Sequence, residues 1–477
     1  MMKTKTRCLN SLRAAMALLV LGTPAYAERP NLVFRLGLDS LSYDQSAING
    51  IAGMSLLVTT DSGYYFGESI YSAALGQGGG FFVGGVELGK TTPIGERFFW
   101  DASLFIGGGG GAKQVPGDGL MLRPQLHFGV NMGRARLGVG AAWTQVSGSA
   151  ISSPSFGVTL SRALDLALVS GGGTGGNTEF SQMRVRYRPY IPLGSTKRSG
   201  QPLKRMQMIG AEMIFAESDQ RETFIAANGA VAGDAEGYAD WQIGQRYLLG
   251  QGGLRAYGEA RVGIGGGGSV DSGGGLIASL GAGLRWQPGR VGIDLGISAL
   301  TSITGDFLVL SPALNIGLAF GGGQRQSTDW QISTGLTQQF PNANFRKSGV
   351  ANTGAPLMID TKIDLFLSDN LYMSGQAYTA LAGGAGGYQI GLIGLGYRQK
   401  LAPRWSLSGE AFVGAGGGAG VDTKGGLLLA YGVDLDYALT ERMFVTVGAG
   451  QVMALQGGGM APLTANIGFK FPFTTLH

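Results

Sequence analysis

The chain has 477 residues, 87 of them glycine; 44% are hydrophobic, only 14% are charged, and the formal charge is +5. So few charges would leave a soluble chain of this length short of polar surface, and the hydrophobic share is too high for a disordered glycine-rich chain. Beyond residue 27 no apolar run reaches the ~18 residues of a membrane-spanning helix, which leaves a β-barrel in lipid as the common solution.

The N-terminus reads as a secretory signal peptide over residues 1–27. Lys3, Lys5, Arg7 and Arg13 make a basic start, an apolar run follows from Ala14 to Gly22, and Ala25-Tyr26-Ala27 supplies an A-x-A cleavage site. Export with cleavage after Ala27 is expected. Those four cations account for most of the +5, leaving the mature chain near +1; no nucleic-acid partner is expected. The single cysteine, Cys8, lies in the leader, so the mature chain has neither disulfide nor thiolate metal site. No metal or cofactor is expected.

Three β-rich repeats follow, placed at 28–170, 171–321 and 322–477. The segments Phe98 to Gly111, Leu254 to Gly268 and Trp405 to Gly418 each run an apolar strand into a glycine block. A second match lies upstream of each, starting at Ala73, Ala230 and Ala380. Offsets between matching residues are 158 (Asp101 to Glu259) and 151 (Glu259 to Glu410), the size of whole β-modules rather than solenoid turns.

Within each repeat the hydrophobic period is two. Ala102, Leu104 and Ile106 alternate with Asp101, Ser103 and Phe105, and the other two copies repeat the pattern, as lipid-out, lumen-in strands require. Connections alternate between tight polar turns, such as Thr59 to Gly63 and Gln287 to Arg290, and glycine-rich links, such as Gly76 to Gly80 and Gly265 to Gly275. This reading gives about eight strands per repeat and about 24 in all, with polar turns on the periplasmic side and glycine links outside. The six tryptophans, at 100, 143, 241, 286, 330 and 405, fit an interfacial belt.

Over its whole mature length the chain resembles a Gram-negative outer-membrane β-barrel, of porin or export-channel type. The segment ANIGFKFPF (465–473) is similar to the alternating, aromatic last strand of that family, although Thr474 to His477 follow where such chains usually stop. The resemblance implies location in the outer membrane, with lipid and lipopolysaccharide as surroundings.

Two all-β architectures fit: one transmembrane antiparallel barrel of about 24 strands, or three tandem eight-stranded barrels. The glycine-rich, charge-poor inward positions favour the single wide barrel, because a narrow barrel must be filled by side chains. A wide lumen would need a periplasmic or lumen-filling protein partner, or a polymer cargo.

His127 and His477 are the only histidines of the mature chain and have no Ser or acidic partner at recognisable spacing; no enzyme is expected. Arg184, Arg186 and Arg188 share one strand face and are expected to form a basic lumen track for an anionic solute or polymer. Lys197, Arg198, Lys204 and Arg205 follow in a loop. Asp101, Glu259 and Glu410 share one repeat position and could make a three-point acidic ring in the pore. The expected function is a conduit for export or uptake, for instance of an exopolysaccharide or secreted protein; the alternative is a barrel that anchors a surface assembly.

Overall fold

Polar residues point inward and apolar ones outward along these strands, the reverse of a soluble sheet. In β6 (Met121–Met132) Arg123, Gln125 and His127 are buried, whereas Pro124, Leu126 and Phe128 are exposed. Only a lipid exterior with an internally satisfied polar interior suits this pattern. The computed structural model describes residues 31–41, 47–113, 117–133, 135–169, 180–320, 327–351 and 354–476. The signal peptide, its cleavage site, His477 and the repeat junctions at 170/171 and 321/322 lie outside the described residues.

The first barrel comprises β1 (Asn31–Leu41), β2 (Ile48–Thr59), β3 (Tyr64–Gly76), β4 (Phe82–Ile94), β5 (Phe98–Gly110), β6, β7 (Ala135–Val146) and β8 (Ser152–Val169). The second contains β9 (Phe180–Pro192), β10 (Met206–Ala216), β11 (Arg221–Gly233), β12 (Ala239–Leu249), β13 (Leu254–Gly266), β14 (Leu276–Trp286), β15 (Val291–Ser302) and β16 (Leu308–Ala319). The third contains β17 (Ser327–Phe340), β18 (Leu357–Phe366), β19 (Leu371–Ala382), β20 (Gln389–Ala402), β21 (Trp405–Gly417), β22 (Leu427–Thr440), β23 (Met443–Ala454) and β24 (Leu463–Leu476). All neighbours are antiparallel, so polar turns gather at one end of each barrel and glycine-rich links at the other.

Three closed eight-stranded barrels form, rather than one wide barrel. The first strand of each unit pairs with its own eighth: Leu38 opposite Val158 in β1–β8, Ile316 opposite Val185 in β16–β9, and Leu336 opposite Ile467 in β17–β24. One short ladder crosses between units, where Thr474 and Thr475 of β24 meet Val169 and Leu168 of β8.

The single-barrel expectation fails because inward glycines do not leave empty space. Several sit beneath an aromatic ring from a neighbouring strand, and others beneath a charged side chain, as Gly317 does beneath Arg184. A Cβ on Gly396 would overlap Tyr372, one on Gly89 would overlap Tyr65, and ones on Gly283 and Gly296 would overlap Tyr257. The missing side chains make room for rings that fill the narrow barrels.

The barrels pack against one another through outward faces that an isolated barrel would give to lipid. Phe82 of β4 lies 5.1 Å from Trp241 of β12, and Phe66 of β3 lies 5.6 Å from Phe471 of β24, centroid to centroid. Phe180, Phe215, Phe320 and Trp330 cluster at the turn end of this shared core. Trp241 and Trp330 are therefore inter-barrel residues, while Trp100, Trp143, Trp286 and Trp405 stay exposed on the outer surface. The remaining outer faces form a belt of exposed apolar side chains, among them Leu126, Val139, Phe156, Val262, Leu280 and Ile467, the surface a lipid exterior calls for.

Candidate functional site

Two sets of residues are candidates: the charged barrel interiors and the glycine seams between barrels. In the second barrel Glu212, the one charged residue of the strand MQMIGAEMIFA, sits among arginines. Its carboxylate is 2.9 Å from Arg246, 3.3 Å from Arg186, 3.6 Å from Arg261 and 3.8 Å from Arg184. Glu222 pairs with Arg285 at 2.6 Å, and Glu259 with Arg246 at 2.7 Å. Asp294 takes Arg285 at 3.2 Å and also Arg184. Asp240 accepts hydrogen bonds from Tyr190, Asn228 and Gln242.

The first barrel is built around Arg35, which bridges Glu87 at 2.8 Å and Asp101 at 3.1 Å. Tyr65 and Thr91 donate to Asp101, Ser69 donates to Glu87, and Arg123 pairs with Asp39 at 2.8 Å. In the third barrel Lys470 joins Asp434 and Asp436 at 2.9 and 2.8 Å, while Lys362 and Tyr372 both engage Glu410. Around Arg35 and Lys362 the remaining cavities are about 20 and 40 Å³, room for a few waters at most.

The sequence-predicted residues are distributed accordingly. Arg184, Arg186 and Arg188 do face a barrel interior, but all are at most 3% exposed and tied to neighbours: Arg188 donates to Ser298 and Ser311, and Arg186 to Asn315. They line no open track. Asp101, Glu259 and Glu410 also face inward, each in a different barrel, so they form no ring. Each instead receives a cation from its own barrel: Arg35 from β1, Arg246 from β12 and Lys362 from β18. His127 is buried beside Gly140 in the first barrel.

The loop cluster divides. Lys197 pairs with Asp234 at 2.7 Å, and Arg198 reaches into the first barrel to the carbonyl of Gly79; Lys204 and Arg205 are exposed. Burial pushes the Asp234 carboxyl up, but hydrogen bonds from Lys197 Nζ and the Lys204 N–H outweigh it, and the group lies below the usual range.

The glycine blocks found as repeats are the seams. Between barrels one and two, Gly80 is packed on Gly267, and the Gly79 N–H donates to the Gly273 carbonyl at 2.8 Å. A Cβ on Gly417 of barrel three would lie 2.9 Å from the Gly237 Cα of barrel two, and one on Gly387 would lie 2.8 Å from the Gly111 nitrogen of barrel one. In every seam the β3–β4 link or its counterpart meets the β5–β6 link or its counterpart on the next barrel. The contacts run one to two, two to three and three to one, a head-to-tail ring that closes. Small residues permit this backbone approach where lipid offers no hydrophobic drive for association.

Acidic side chains fasten two of the seams. Asp118 accepts from the N–H groups of Gly383 and Gly384 at 2.9 and 3.0 Å. Glu236 accepts from the Thr423 hydroxyl and N–H and pairs with Lys347 at 2.9 Å. Sequence reading missed Glu212, Asp118 and Glu236; only Glu212 carried a signal, a lone carboxylate in a strand with no other charge.

No family model and no curated protein matches the chain. Among solved structures, Pseudomonas aeruginosa OpdQ aligns at 10% identity over 94% of this chain and 98% of its own, with a TM-score of 0.23. OccK1 (OpdK) of the same organism gives 10%, 94%, 98% and 0.24, and its OpdL gives 12%, 94%, 99% and 0.22. Superpositions of this quality carry no argument; the architecture stands on the chain's own strand pairing.

Proposed function

We propose that this chain is an outer-membrane protein that serves as a membrane-embedded platform: three sealed barrels in one chain, presenting a broad face of glycine-rich links at the cell exterior. The observation that carries this reading is the state of the interiors, where ion pairs and aromatic rings occupy the space a conduit would need. In support, the outer belt is apolar. The exposed link face, with Lys204 and Arg205 on it, is where a surface partner or lipopolysaccharide phosphates would meet the protein.

A solute pore in the same membrane is the second reading, favoured by one observation. The second barrel holds six buried arginines, Arg184, Arg186, Arg188, Arg246, Arg261 and Arg285, against Glu212, Glu222, Asp240, Glu259 and Asp294. Exchange of partners among so many cations would open a narrow, anion-preferring path; an exopolysaccharide or secreted protein would not pass it. Planar-bilayer recording of the purified protein separates the two. A platform gives no steady conductance. A sustained, anion-selective current that Glu212→Gln alters would establish the pore and overturn the platform.

A further inference from the structure

Between barrels one and two, on the outer surface, lies an apolar cleft of about 1000 Å³ that no side chain of the described residues fills. Phe34 and Leu160 of the first barrel face Ile225, Ile243, Val262 and Leu280 of the second across it. Water would need roughly thirty molecules at ~30 Å³ each, and each would want two to four polar partners. The walls offer almost none, so the occupant is apolar.

Among the residues lining the cleft, Arg162, Thr223 and Gln245 mark its turn end, and Thr223 donates to Glu217 just beyond it. There Arg162 pairs with Glu217 at 2.8 Å, Arg221 pairs with the other oxygen of Glu217, and Arg255 donates to the Asp219 carbonyl at 2.9 Å. Two arginines, Arg162 and Arg221, thus converge on the one carboxylate of Glu217. Arg162 and Arg221 keep 35% and 47% of their side chains exposed, so their guanidinium groups can share a second acceptor with Glu217.

We infer that the cleft binds one glycerophospholipid, its two acyl chains along the apolar walls and its phosphate on Arg162 and Arg221. The inference rests on the membrane reading above. It adds to it a specific lipid site, wedged between two barrels and open on the side of the polar turns, where a phospholipid headgroup would lie. The shape of the cleft supplies the chains' environment, and two part-exposed guanidinium groups gathered on one carboxylate suit a phosphate monoanion.

The full chain, purified from membranes in mild detergent, is examined by native mass spectrometry before and after addition of phosphatidylethanolamine, with lipid A as a second probe. One phosphatidylethanolamine per chain is expected. Ala260→Trp with Ala278→Trp, two positions on the cleft wall, is expected to abolish it. Arg162→Glu is expected to weaken it about tenfold or more, the effect of losing a charge-assisted hydrogen bond; this rim variant keeps the test alive if the double variant misfolds. Retention that neither variant changes, or binding of lipid A in place of the phospholipid, overturns the inference. Protein that stays in urea-washed membranes but carries no phospholipid overturns the cleft site alone, whereas protein removed by that wash overturns the membrane reading with it.

Discussion

The interiors of the three barrels and the seams between them are built by opposite rules. Inside, the repeats have diverged: the first barrel relies on Arg35, the second on a lattice of arginines about Glu212, and the third on Lys362 and Lys470. The carboxylate at Asp101, Glu259 and Glu410 persists, yet its cation arrives from β1, β12 or β18. At the seams the repeats agree: glycine of one link meets glycine or backbone of the next barrel at all three junctions. A buried ion pair can be satisfied from any strand that points inward, so its residues drift together. Backbone touching backbone admits only glycine.

The comparison can be broken most severely from the inside. Glu212→Gln removes the carboxylate shared by four arginines; Arg246, Arg261 and Arg184 keep Glu259 or Asp294, but Arg186 is left buried with Asn315 and, among the described residues, no carboxylate. Loss of one partner from such a site costs about 3–5 kcal/mol, to be read as a lower guanidinium midpoint of the refolded protein. A change below ~1 kcal/mol would show that water reaches the arginines and that the interior is not sealed.

Gly80→Val attacks a seam. The valine would press on Gly267 at a φ of +92°, combining overpacking of ~1–3 kcal/mol with backbone strain of ~1–3 kcal/mol. The barrels are expected to close individually while proteolysis at the β3–β4 and β13–β14 links rises. Gly387→Val, at φ +92° in the seam between barrels three and one, is expected to act alike; unequal outcomes would deny the equivalence of the seams.

What was legible in the sequence follows the same division. Period-two alternation, the turn signals and the repeat spacing gave strand number and the alternating ends, because each is a local consequence of pleat and chain reversal. The choice between one barrel and three was not local. Glycine at an inward position reads as absence, and only the pairing of Gly396 with Tyr372, or Gly89 with Tyr65, shows that a ring occupies the space. Arg184, Arg186 and Arg188 were recognisable as inward-facing, but their partners Glu212, Asp294 and Asn315 lie on other strands. The glycine blocks are visible as repeats and read as external links; their role in contact between barrels needs the third dimension.

Two smaller perturbations sharpen the comparison. Asp118→Ala removes the carboxylate that accepts from the Gly383 and Gly384 N–H groups and is expected to cost about 1–2 kcal/mol, the scale of a lost backbone cap. Hydrogen exchange at those two amides is expected to quicken without change in the second barrel. Asp234→Asn, on the β11–β12 link but paired with Lys197 of its own barrel rather than across the seam, is expected to cost about 0.2–1 kcal/mol at neutral pH. Its carboxyl is held below the ordinary range, so its contribution is present above the unfolded aspartate pKa of about 3.9 and fades as pH falls through the lower folded value. The variant's stability is expected to converge with that of the parent in acid.

The central claim is that each repeat closes on itself. Leu38 of β1 and Val158 of β8 lie directly opposite and outward, and no cysteine follows Cys8 in the chain. Leu38→Cys with Val158→Cys, oxidised in membranes, is predicted to form a disulfide in nearly every folded molecule, since cross-strand neighbours stand about 4.5–5.5 Å apart. Two free thiols in the folded, membrane-inserted protein would mean that β1 and β8 are not partners, and the three-barrel architecture would fall.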